Sequence, residues 1–511
     1  MQGGTYVKRL ICLLICLMLL TGCAQEQAYT PTGDALEYGE DYTGPTVTAP
    51  QPETVELTLT WYPDRSLNPF LCTDFTNQAL FSLLYQGLFS MNRNYGVEPV
   101  LCKNYQVSQD MKTYTFYLEN AIFSDGTRLT ATDVIASYQA AKASKVYGGL
   151  FMHILSVTEE ADGSVVITLD TPYEDLPLIL DIPIIPAGQE ENDFPAGTGP
   201  YRYADNCLRK QTSWWCKASL PINGDTIPLI TATSPLQIRD NFQFGGLDLV
   251  CADPGSDRYA DYRCDYELWD SENGIFVYLA FCANSEVFED PELRAAITYA
   301  VDRDTLAATE YRGFARSASL PASPLFPYYS TTLAERYRYN PEKFAEVVEA
   351  RGATGKEVVF LVNSDDSLRL RVARTIAQAL TDGGLKVTLT ALKGSAYIDA
   401  VKTRQFDLYL GQTRLSANMD LSPFFHMFGA LSYGGVDDIP AYTLCLDALA
   451  NHGNYYTLHK TVMDEGLLCP VVFRSYSIYA TRGLISELNP SRDNVFRYSL
   501  GKTMAEALIP S

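Results

Sequence analysis

The chain has 511 residues, of which 47% are hydrophobic and 20% are charged, so it can fill more than one core and is neither disordered nor fibrous. Its formal net charge of -22 argues against nucleic acid as a partner, because neutralising phosphates requires an excess of basic residues. A Walker loop, a G-x-S-x-G elbow and an H-E-x-x-H motif are all missing, which leaves no pattern for the common ATPase and hydrolase mechanisms.

The beginning of the chain has the pattern of an export signal. Lys8-Arg9 precedes an apolar run, Leu10–Leu20, that is shorter than the ~20 residues of a membrane span. Leu20-Thr21-Gly22-Cys23 matches a signal-peptidase II lipobox, so we predict a signal peptide over residues 1–22 and lipidation of Cys23 with acyl chains such as palmitate. Residues 23–54 are rich in Pro, Gly, Thr and acids, which predicts a lipid-anchored flexible tether. The alternative is an ordinary signal peptide followed by a chance cysteine.

Cysteine and histidine usage gives no metal or cofactor signal. Nine of the 12 cysteines follow Cys23, and an exported location permits disulfides without requiring them. The nearest plausible pairs are Cys207 with Cys216 and Cys251 with Cys264. The four histidines are widely spaced and lack a flanking zinc signature, so we predict neither a metal site nor a cofactor.

The first third of the chain reads as alternating strands and helices. Strands are predicted at Val55–Trp61, Tyr114–Leu118 and Val165–Leu169, where apolar residues alternate. One apolar face predicts a helix over Gln78–Gln86. A second helix, ending near Ala143, should begin at a capping box formed by Thr130 and Asp133.

The segment Gly197–Tyr201 reads G-T-G-P-Y and could be mistaken for part of a dinucleotide fingerprint. The third glycine is missing, and Pro200 blocks the helix whose N-terminus would hold a phosphate. We therefore predict no nucleotide site here.

The middle of the chain predicts a strand followed by two helices. Ile275–Phe281 is β-branched and aromatic enough for a buried strand. Asp290 can cap a helix that starts with proline and carries one apolar stripe, and Asp302 or Asp304 can cap a second helix that ends near Gly313.

The next part has a β-α-β-α-β pattern with short connections. Its strands are Glu357–Asn363, Leu385–Leu392 and Phe406–Leu410, and its helices are Asp366–Leu380 and Ala396–Arg404. This order predicts a parallel sheet with ligand-binding loops at the carboxyl ends of the strands. The loop Gly411–Phe425 is therefore the leading candidate for a binding site.

Five motifs in the order of one known family connect these elements. They are S-L-N-P at Ser66–Pro69, L-Y-Q-G-L-F ending at Phe89, the stretch Tyr114–Val134, G-T-G-P-Y at Gly197–Tyr201, and F-x-D-P-x-L-R-x-A-I-x-Y-A-x-D-R ending at Arg303. Together they resemble the peptide/nickel-type (family 5) extracellular solute-binding proteins of ABC importers. Tyr455–Leu467 and Cys469–Phe473 resemble the late helix and the returning strand of that family.

The resemblance implies an α/β, two-lobed, periplasmic-binding-protein-like fold (type II, cluster C). Lobe I would comprise residues 55–275, including an extra subdomain at about 92–195 that lines one side of the pocket. Lobe II would comprise residues 276–469, and residues 470–511 would return to lobe I. Two crossings between the lobes allow hinge closure on a ligand.

The resemblance also suggests which residues contact a ligand. Peptide-binding members carry an aspartate that pairs with the ligand's free ammonium a few residues before a D-P-x-x-F pattern. If Asp420 matches the Asp of that pattern, the ammonium-binding position falls at Ala417, where the acid is missing. Asp420 itself could replace it, and Arg414 could hold a carboxylate. The residues that we predict to contact a ligand are Asn68, Arg414, Asn418, Asp420 and Phe424.

The sequence therefore predicts a monomeric, lipid-anchored solute-binding protein that is not an enzyme and delivers a short peptide to the transmembrane permease of an ABC importer. The missing acid at Ala417 favours a second cargo class: a metal chelate, an oligosaccharide or a peptide with a blocked amino end. An extracytoplasmic sensor and an envelope enzyme are further alternatives. Scarce histidine argues against a Ser-His or Cys-His enzyme but not against paired carboxylates.

Overall fold

A computed structural model describes residues 57–256, 261–426, 428–435 and 438–510. The predicted signal peptide, the lipobox cysteine Cys23 and the tether lie outside these residues. Among the helices described, none combines the length and the apolar character that crossing a bilayer requires.

The described strands form four sheets, and we number them in chain order. They are β1 Leu59–Trp61, β2 Phe89–Met91, β3 Val97–Pro99, β4 Cys102–Val107, β5 Thr113–Leu118, β6 Ile154–Glu159, β7 Val165–Leu169, β8 Tyr201–Ala204, β9 Cys207–Lys210, β10 Thr226–Thr231, β11 Leu249–Ala252, β12 Glu267–Phe281, β13 Ala315–Ser317, β14 Glu357–Asn363, β15 Lys386–Leu392, β16 Leu408–Arg414 and β17 Leu468–Ala480.

The described α-helices are numbered in the same way. They are α1 Phe75–Gln78, α2 Phe81–Leu84, α3 Ala131–Ala143, α4 Pro235–Gln243, α5 Pro291–Ala300, α6 Arg303–Thr309, α7 Thr331–Ala334, α8 Pro341–Ala350, α9 Ser367–Asp382, α10 Gly394–Lys402, α11 Ser422–Phe425, α12 Ile439–Ala450, α13 Tyr455–Asp464 and α14 Met504–Ala507. Short 3₁₀ turns occur at Gly148–Phe151, Leu176–Ile179, Glu335–Tyr337 and His452–Asn454.

The largest sheet has seven strands in the order β11-β17-β12-β16-β14-β15, with β13 paired to β17. β14 runs parallel to both β15 and β16, which confirms the predicted parallel unit. β12 is antiparallel to β16 and β17, so the sheet is mixed. Val277 and Leu279 pack on one face with α5, α8 and α9, whereas Phe276 and Tyr278 pack on the other face with α12 and α13. Helices therefore cover both faces of this sheet, as a parallel β-α-β unit requires.

A separate core joins the earlier strands to the end of the chain. The sheets β1-β10-β9-β8 and β4-β5-β7-β6 contribute side chains such as Leu229 and Phe116 to one buried cluster. Ile478 and Phe496 belong to the same cluster, although they follow β12–β16 in the chain. The last residues thus pack against the first part of the described chain.

The predicted helix caps are present because capping is local chemistry. The carboxylate of Asp133 accepts a hydrogen bond from the backbone N–H of Thr130 at 2.8 Å in the predicted capping box. Asp290 and Asp302 each accept a hydrogen bond from a backbone N–H in the first turn of the helix that follows, as predicted. Asp366, which was predicted as the first residue of a helix, caps α9 in the same way.

The predicted helix over Gln78–Gln86 is wrong, because this segment forms two separate turns, α1 and α2. The side-chain amide of Asn77 is fully buried and bonds to both the N–H and the C=O of Tyr62, at 2.8 Å and 3.0 Å. All four residues of α2 are buried, so the segment has no solvent-facing side, and Tyr85 is extended with φ −127°. Burial on every side removes the reason for one amphipathic helix.

Two other expectations need correction. β16 continues to Arg414, paired with Ile275 on β12, so the loop that follows begins at Leu415 and not at Gly411. The nine described cysteines are all free, so neither Cys207–Cys216 nor Cys251–Cys264 is a disulfide. Cys251 is partly buried on β11, and removal of its thiol from water raises the pKa.

The two glycines of G-T-G-P-Y have a packing role. A Cβ on Gly197 would lie 2.0 Å from the carbonyl oxygen of Leu84, and a Cβ on Gly199 would lie 2.5 Å from that of Leu83. Only glycine permits this approach of two backbones, so the motif holds Gly197–Tyr201 against α2.

Candidate ligand-binding cleft

The loop after β16 lines a cavity of about 220 Å³. The residues on the loop side are Thr413–Ala417, Asp420 and Pro423. The opposite side is formed by two earlier segments and by the returning end of the chain: Val146, Tyr147, Gly149, Leu150, Leu178, Ile179, Asp181, Arg492 and Asp493. The cavity therefore lies where β16 meets parts of the chain that are distant in sequence.

Two arginines and one carboxylate form a continuous charged group in this cavity. Arg414 pairs with Asp493, and its Nε donates a hydrogen bond to the carbonyl of Asn273 at 3.2 Å. Arg492 Nε lies 3.5 Å from the same carboxylate. Burial opposes ionisation of Asp493, but the adjacent guanidinium groups lower its pKa overall. Asp493 is therefore charged and already satisfied by arginine.

Arg492 has hydrogen-bonding capacity that the described residues do not use. Its side chain is only 7% exposed and packs over Gly274, and its Nη2 donates a hydrogen bond to the carbonyl of Leu415. Its Nη1 is buried and has no hydrogen-bond partner among the residues described. A buried guanidinium N–H without an acceptor is costly, so this group is suited to an anionic acceptor supplied by a ligand.

A second, larger cavity of about 650 Å³ adjoins the first at Leu178, which lines both. Its walls combine five aromatic side chains with two acids and the end of the described chain. These are Tyr95, Tyr105, Tyr114, Phe326 and Tyr328; Glu174 and Asp175; and Met504, Leu508, Ile509 and Pro510. The cavity therefore offers a mainly apolar, aromatic surface beside the charged one.

The structure brings only part of the predicted site together. Arg414 and Asp420 line the smaller cavity, as does Ala417 at the position of the missing acid. Asn418 is buried nearby and donates a hydrogen bond to the hydroxyl of Tyr173, and its Oδ1 has no partner among the described residues.

Asn68 and Phe424 are placed in the core and not on either cavity. The Asn68 amide donates two hydrogen bonds to backbone carbonyls, each at 2.8 Å, and its oxygen accepts the N–H of Phe70. Phe424 packs edge-on against Tyr278 with ring centroids 5.0 Å apart. Their contact with a ligand stays a prediction. In this arrangement the amide of Asn68 is hydrogen-bonded to the backbone, and the ring of Phe424 is packed against Tyr278.

Sequence reasoning missed Arg492, Asp493, Asp181 and Tyr147. Arg492 and Asp493 lie in an irregular segment after β17, where no periodic pattern indicates which side chains face inward. Asp181 follows a 3₁₀ turn in an apolar stretch, and an acid between buried aliphatic residues was the one available signal.

Asp420 is engaged on both oxygens. Oδ1 accepts hydrogen bonds from the backbone N–H and the hydroxyl of Ser422, at 2.8 Å and 2.6 Å. Oδ2 lies 3.6 Å from Nε2 of His153, whose Nδ1 lies 3.1 Å from Asp170. Burial alone would lower the pKa of His153, but the two carboxylates outweigh it and raise the pKa. His153, which directly precedes β6, thus lies between the carboxylate of Asp420 in the candidate loop and that of Asp170, which directly follows β7.

Replacing His153 by glutamine is expected to lower the free energy of unfolding by about 1 kcal/mol at pH values below about 6.5 and by much less near pH ~8.5. The folded-state pKa is raised, so the stabilisation is complete below the unfolded-state pKa of about 6.5 and is lost as the pH rises through the folded value. Urea unfolding of both proteins across this pH range measures the effect. A stability difference that does not change with pH would contradict the assignment.

Within the described ranges, no group of three or more His, Cys, Asp or Glu side chains is arranged to hold a metal ion. The two cavities that share Leu178, together called the cleft, have charged, aromatic and backbone groups that can bind a solute. Nothing in the cavity lining pairs a nucleophile with a histidine base.

Comparison with known proteins gives two kinds of similarity. Residues 96–435 match the family model of bacterial extracellular solute-binding proteins, family 5 (middle region). Over 398 residues the chain is 26% identical to the glutathione-binding protein GsiB of Pectobacterium atrosepticum, a match that covers 70% of this chain and 75% of GsiB.

Solved structures have a similar fold. The structure of NikA from Brucella suis in complex with Fe(III)-EDTA superposes with a TM-score of 0.67 at 20% identity, covering 87% of this chain and 99% of NikA. The oligopeptide-binding protein AppA of Bacillus subtilis, in complex with a nonapeptide, gives 0.61 at 19% identity, covering 87% of this chain and 99% of AppA. These similarities confirm the fold class predicted from the sequence.

Proposed function

Because the chain belongs to the bacterial extracellular solute-binding proteins of family 5, we propose that the solute it carries is a short peptide. Proteins of this family act outside the cytoplasm, where they bind a small peptide or another solute and work with the permease of an ABC importer. The binding step needs no covalent chemistry, and we propose that this chain is not an enzyme.

The unused Nη1 of Arg492 is the observation that carries the proposal. A carboxylate of the cargo would accept a hydrogen bond from this buried group, with Arg414 as the second cation beside it. The interaction would be strong because the Arg492 side chain is almost wholly removed from water.

The rest of the cleft supports a peptide over a smaller anion. The charged cavity of about 220 Å³ is smaller than the roughly 300–1,000 Å³ of typical ligand pockets, whereas the adjoining aromatic cavity adds about 650 Å³. A peptide could place one charged end near Arg492 and its side chains on the aromatic surface beyond Leu178. The names of the relatives agree with this class, since GsiB is a glutathione-binding protein and AppA was solved with a nonapeptide.

We further propose that cargo is held by closure of two lobes, residues 55–275 with 470–511 and residues 276–469. Three polar contacts cross this boundary beside the cleft: Arg414 with Asp493, Asn418 with Tyr173, and Asp420 with His153. They would form as the lobes close and would exclude water from the cargo. Lipidated Cys23 would anchor this monomer near the permease.

A thermal-shift screen tests the cargo class. The full chain, purified in mild detergent, would be heated with pools of di- to hexapeptides in free, amino-acetylated and carboxyl-amidated forms, and with nickel–histidine chelates and oligosaccharides. Ligand at about 100 times its Kd adds ~2.7 kcal/mol to the free energy of unfolding. We expect stabilisation by free peptides and a much smaller effect from amidated ones.

Stabilisation by a chelate or a sugar, with none from any peptide pool, would reject the peptide cargo and leave the transport role intact. Equal stabilisation by free and amidated peptides would reject carboxylate recognition at Arg492.

A further inference from the structure

Asp181 is an acidic residue on the cavity wall whose hydrogen-bonding capacity is only half used. It lines the same cavity as Arg492, just after the 3₁₀ turn Leu176–Ile179. Its Oδ2 accepts the backbone N–H of Met91 at 3.1 Å and the side-chain amide of Asn494 at 2.7 Å. Among the described residues, none donates a hydrogen bond to Oδ1.

The surroundings of Asp181 disfavour its negative charge. Burial is the main cause, and the nearby charge of Asp493 adds to it, so the pKa of Asp181 is raised to about 7 despite the hydrogen bonds and the charge of Arg497. A positive group placed against Oδ1 would reverse this penalty, because an opposite charge favours the ionised carboxylate.

The other acids that line the cavity are already occupied. Asp493 is paired with Arg414 and Arg492, and both oxygens of Asp420 are directed to Ser422 and His153. Position 417 is alanine. Among the described residues, Asp181 is therefore the carboxylate on this cavity that forms no ion pair, and only its Oδ2 accepts hydrogen bonds.

We propose that Asp181 binds a primary ammonium group of the cargo, so that this cavity selects peptides carrying both a free amino group and a free carboxylate. The inference rests on the proposed function, because the ammonium and the carboxylate held near Arg492 belong to the same cargo. It also gives Asp181 the ammonium-binding role that Ala417, in the loop after β16, has no carboxylate to perform.

Binding would then depend on pH. Only ionised Asp181 holds an ammonium, and with a pKa of about 7 it is roughly a tenth ionised near pH ~6 and nine-tenths near pH ~8. Because the α-ammonium of a peptide itself titrates at a pKa of about 8, the affinity for free peptides should be about fourfold higher at the upper pH, with about a third of a proton released per peptide bound near neutrality.

Other titratable and charged groups lie close to Asp181 or to the cavity. Asp493 and Arg497 act on it directly. Tyr85 and Tyr498 lie with it on a separate cavity of about 30 Å³, where about one water would fit. On the loop side, His153 titrates behind Asp420, and behind Arg492 burial raises the pKa of Glu272 to about 7. For this reason the pH profile must be compared with that of an Asp181 variant.

Isothermal titration of the full chain in mild detergent provides the test. The probes are a pool of tripeptides in the free form and the same pool acetylated at the amino end, titrated into wild type, Asp181→Asn and Asp205→Asn. Asp205 is the control because its side chain is 89% exposed and does not line the cavity. We expect wild type and Asp205→Asn to prefer the free pool by at least about tenfold, and Asp181→Asn to lose most of this preference together with the pH dependence.

Each other outcome is decisive. Equal binding of both pools to wild type would overturn the role of Asp181 and leave the peptide cargo standing. A preference that persists in Asp181→Asn would place the ammonium on another acid. No binding of either pool would overturn both the peptide cargo and this inference. If Asp181→Asn does not fold, the number of protons that wild type releases on binding tests the proposal. Titration of each pool in buffers of different ionisation enthalpy measures that number. The proposal requires proton release with free peptides and none with acetylated ones.

Discussion

Replacing Arg492 by glutamine is expected to weaken binding of free peptides by at least about 30-fold, equivalent to ~2 kcal/mol. Glutamine keeps a donor but removes the charge, and the Arg492 side chain is only 7% exposed, so the lost interaction is barely screened by water. Carboxyl-amidated peptides should lose little, because they have no carboxylate to place there. Titration calorimetry with both peptide forms measures the two affinities.

Arg492 also supports the fold, so the comparison needs an internal reference. It donates a hydrogen bond to the carbonyl of Leu415 and pairs with Asp493, and its loss will lower stability as well. The ratio of free to amidated affinity within the variant cancels that effect. Arg482→Gln is the matched control, since its side chain is 61% exposed and pairs with Asp265. An equal loss for both peptide forms would show that Arg492 acts through the fold and not on the carboxylate.

Replacing Gly197 by alanine is expected to lower the free energy of unfolding by about 3 kcal/mol or more. The new Cβ would lie 2.0 Å from the carbonyl oxygen of Leu84 and 2.6 Å from the ring of Tyr85. Both neighbours are buried, so neither can move without disturbing the core around α2. Urea unfolding followed by circular dichroism measures the change.

Gly246→Ala is the control for this substitution. Its Cβ would meet nothing closer than the carbonyl of Asn241 at 3.5 Å, which is an ordinary contact. We expect it to change stability by less than about 1 kcal/mol. A Gly197→Ala protein as stable as this control would mean that the two backbones separate easily, and the packing role of the G-T-G-P-Y motif would then be wrong.

Several features of this fold could be predicted from the sequence because they depend on neighbouring residues. Asp302 caps α6 through a backbone N–H in the first turn of that helix. The parallel unit β14-β15-β16 followed from strand and helix periods and short connections, and the structure confirms it. The family followed from motifs that lie in order along the chain, and residues 96–435 match its model.

The failures occur where distant segments meet. A helix over Gln78–Gln86 was expected from its pattern, but burial on all sides and the bonds between Asn77 and Tyr62 divide it. The ligand contact predicted for Asn68 stays a prediction, and its side-chain amide donates hydrogen bonds to the backbone carbonyls of Glu190 and Asn192, which lie far away in the sequence. A local sequence pattern does not indicate whether a polar side chain will bond to a distant part of the backbone or face the ligand cavity.

The sequence by itself determined the family, the parallel unit β14-β15-β16 and the presence of a loop after β16, because periodicity, capping and motif spacing are properties of contiguous residues. Only the tertiary structure decided which charged groups share the cleft. Arg414 meets Asp493 across 79 positions, and Asp181 meets Asn494 across 313. Such contacts form when the returning chain packs against the first sheets, and burial there sets both the unused Nη1 of Arg492 and the raised pKa of Asp181.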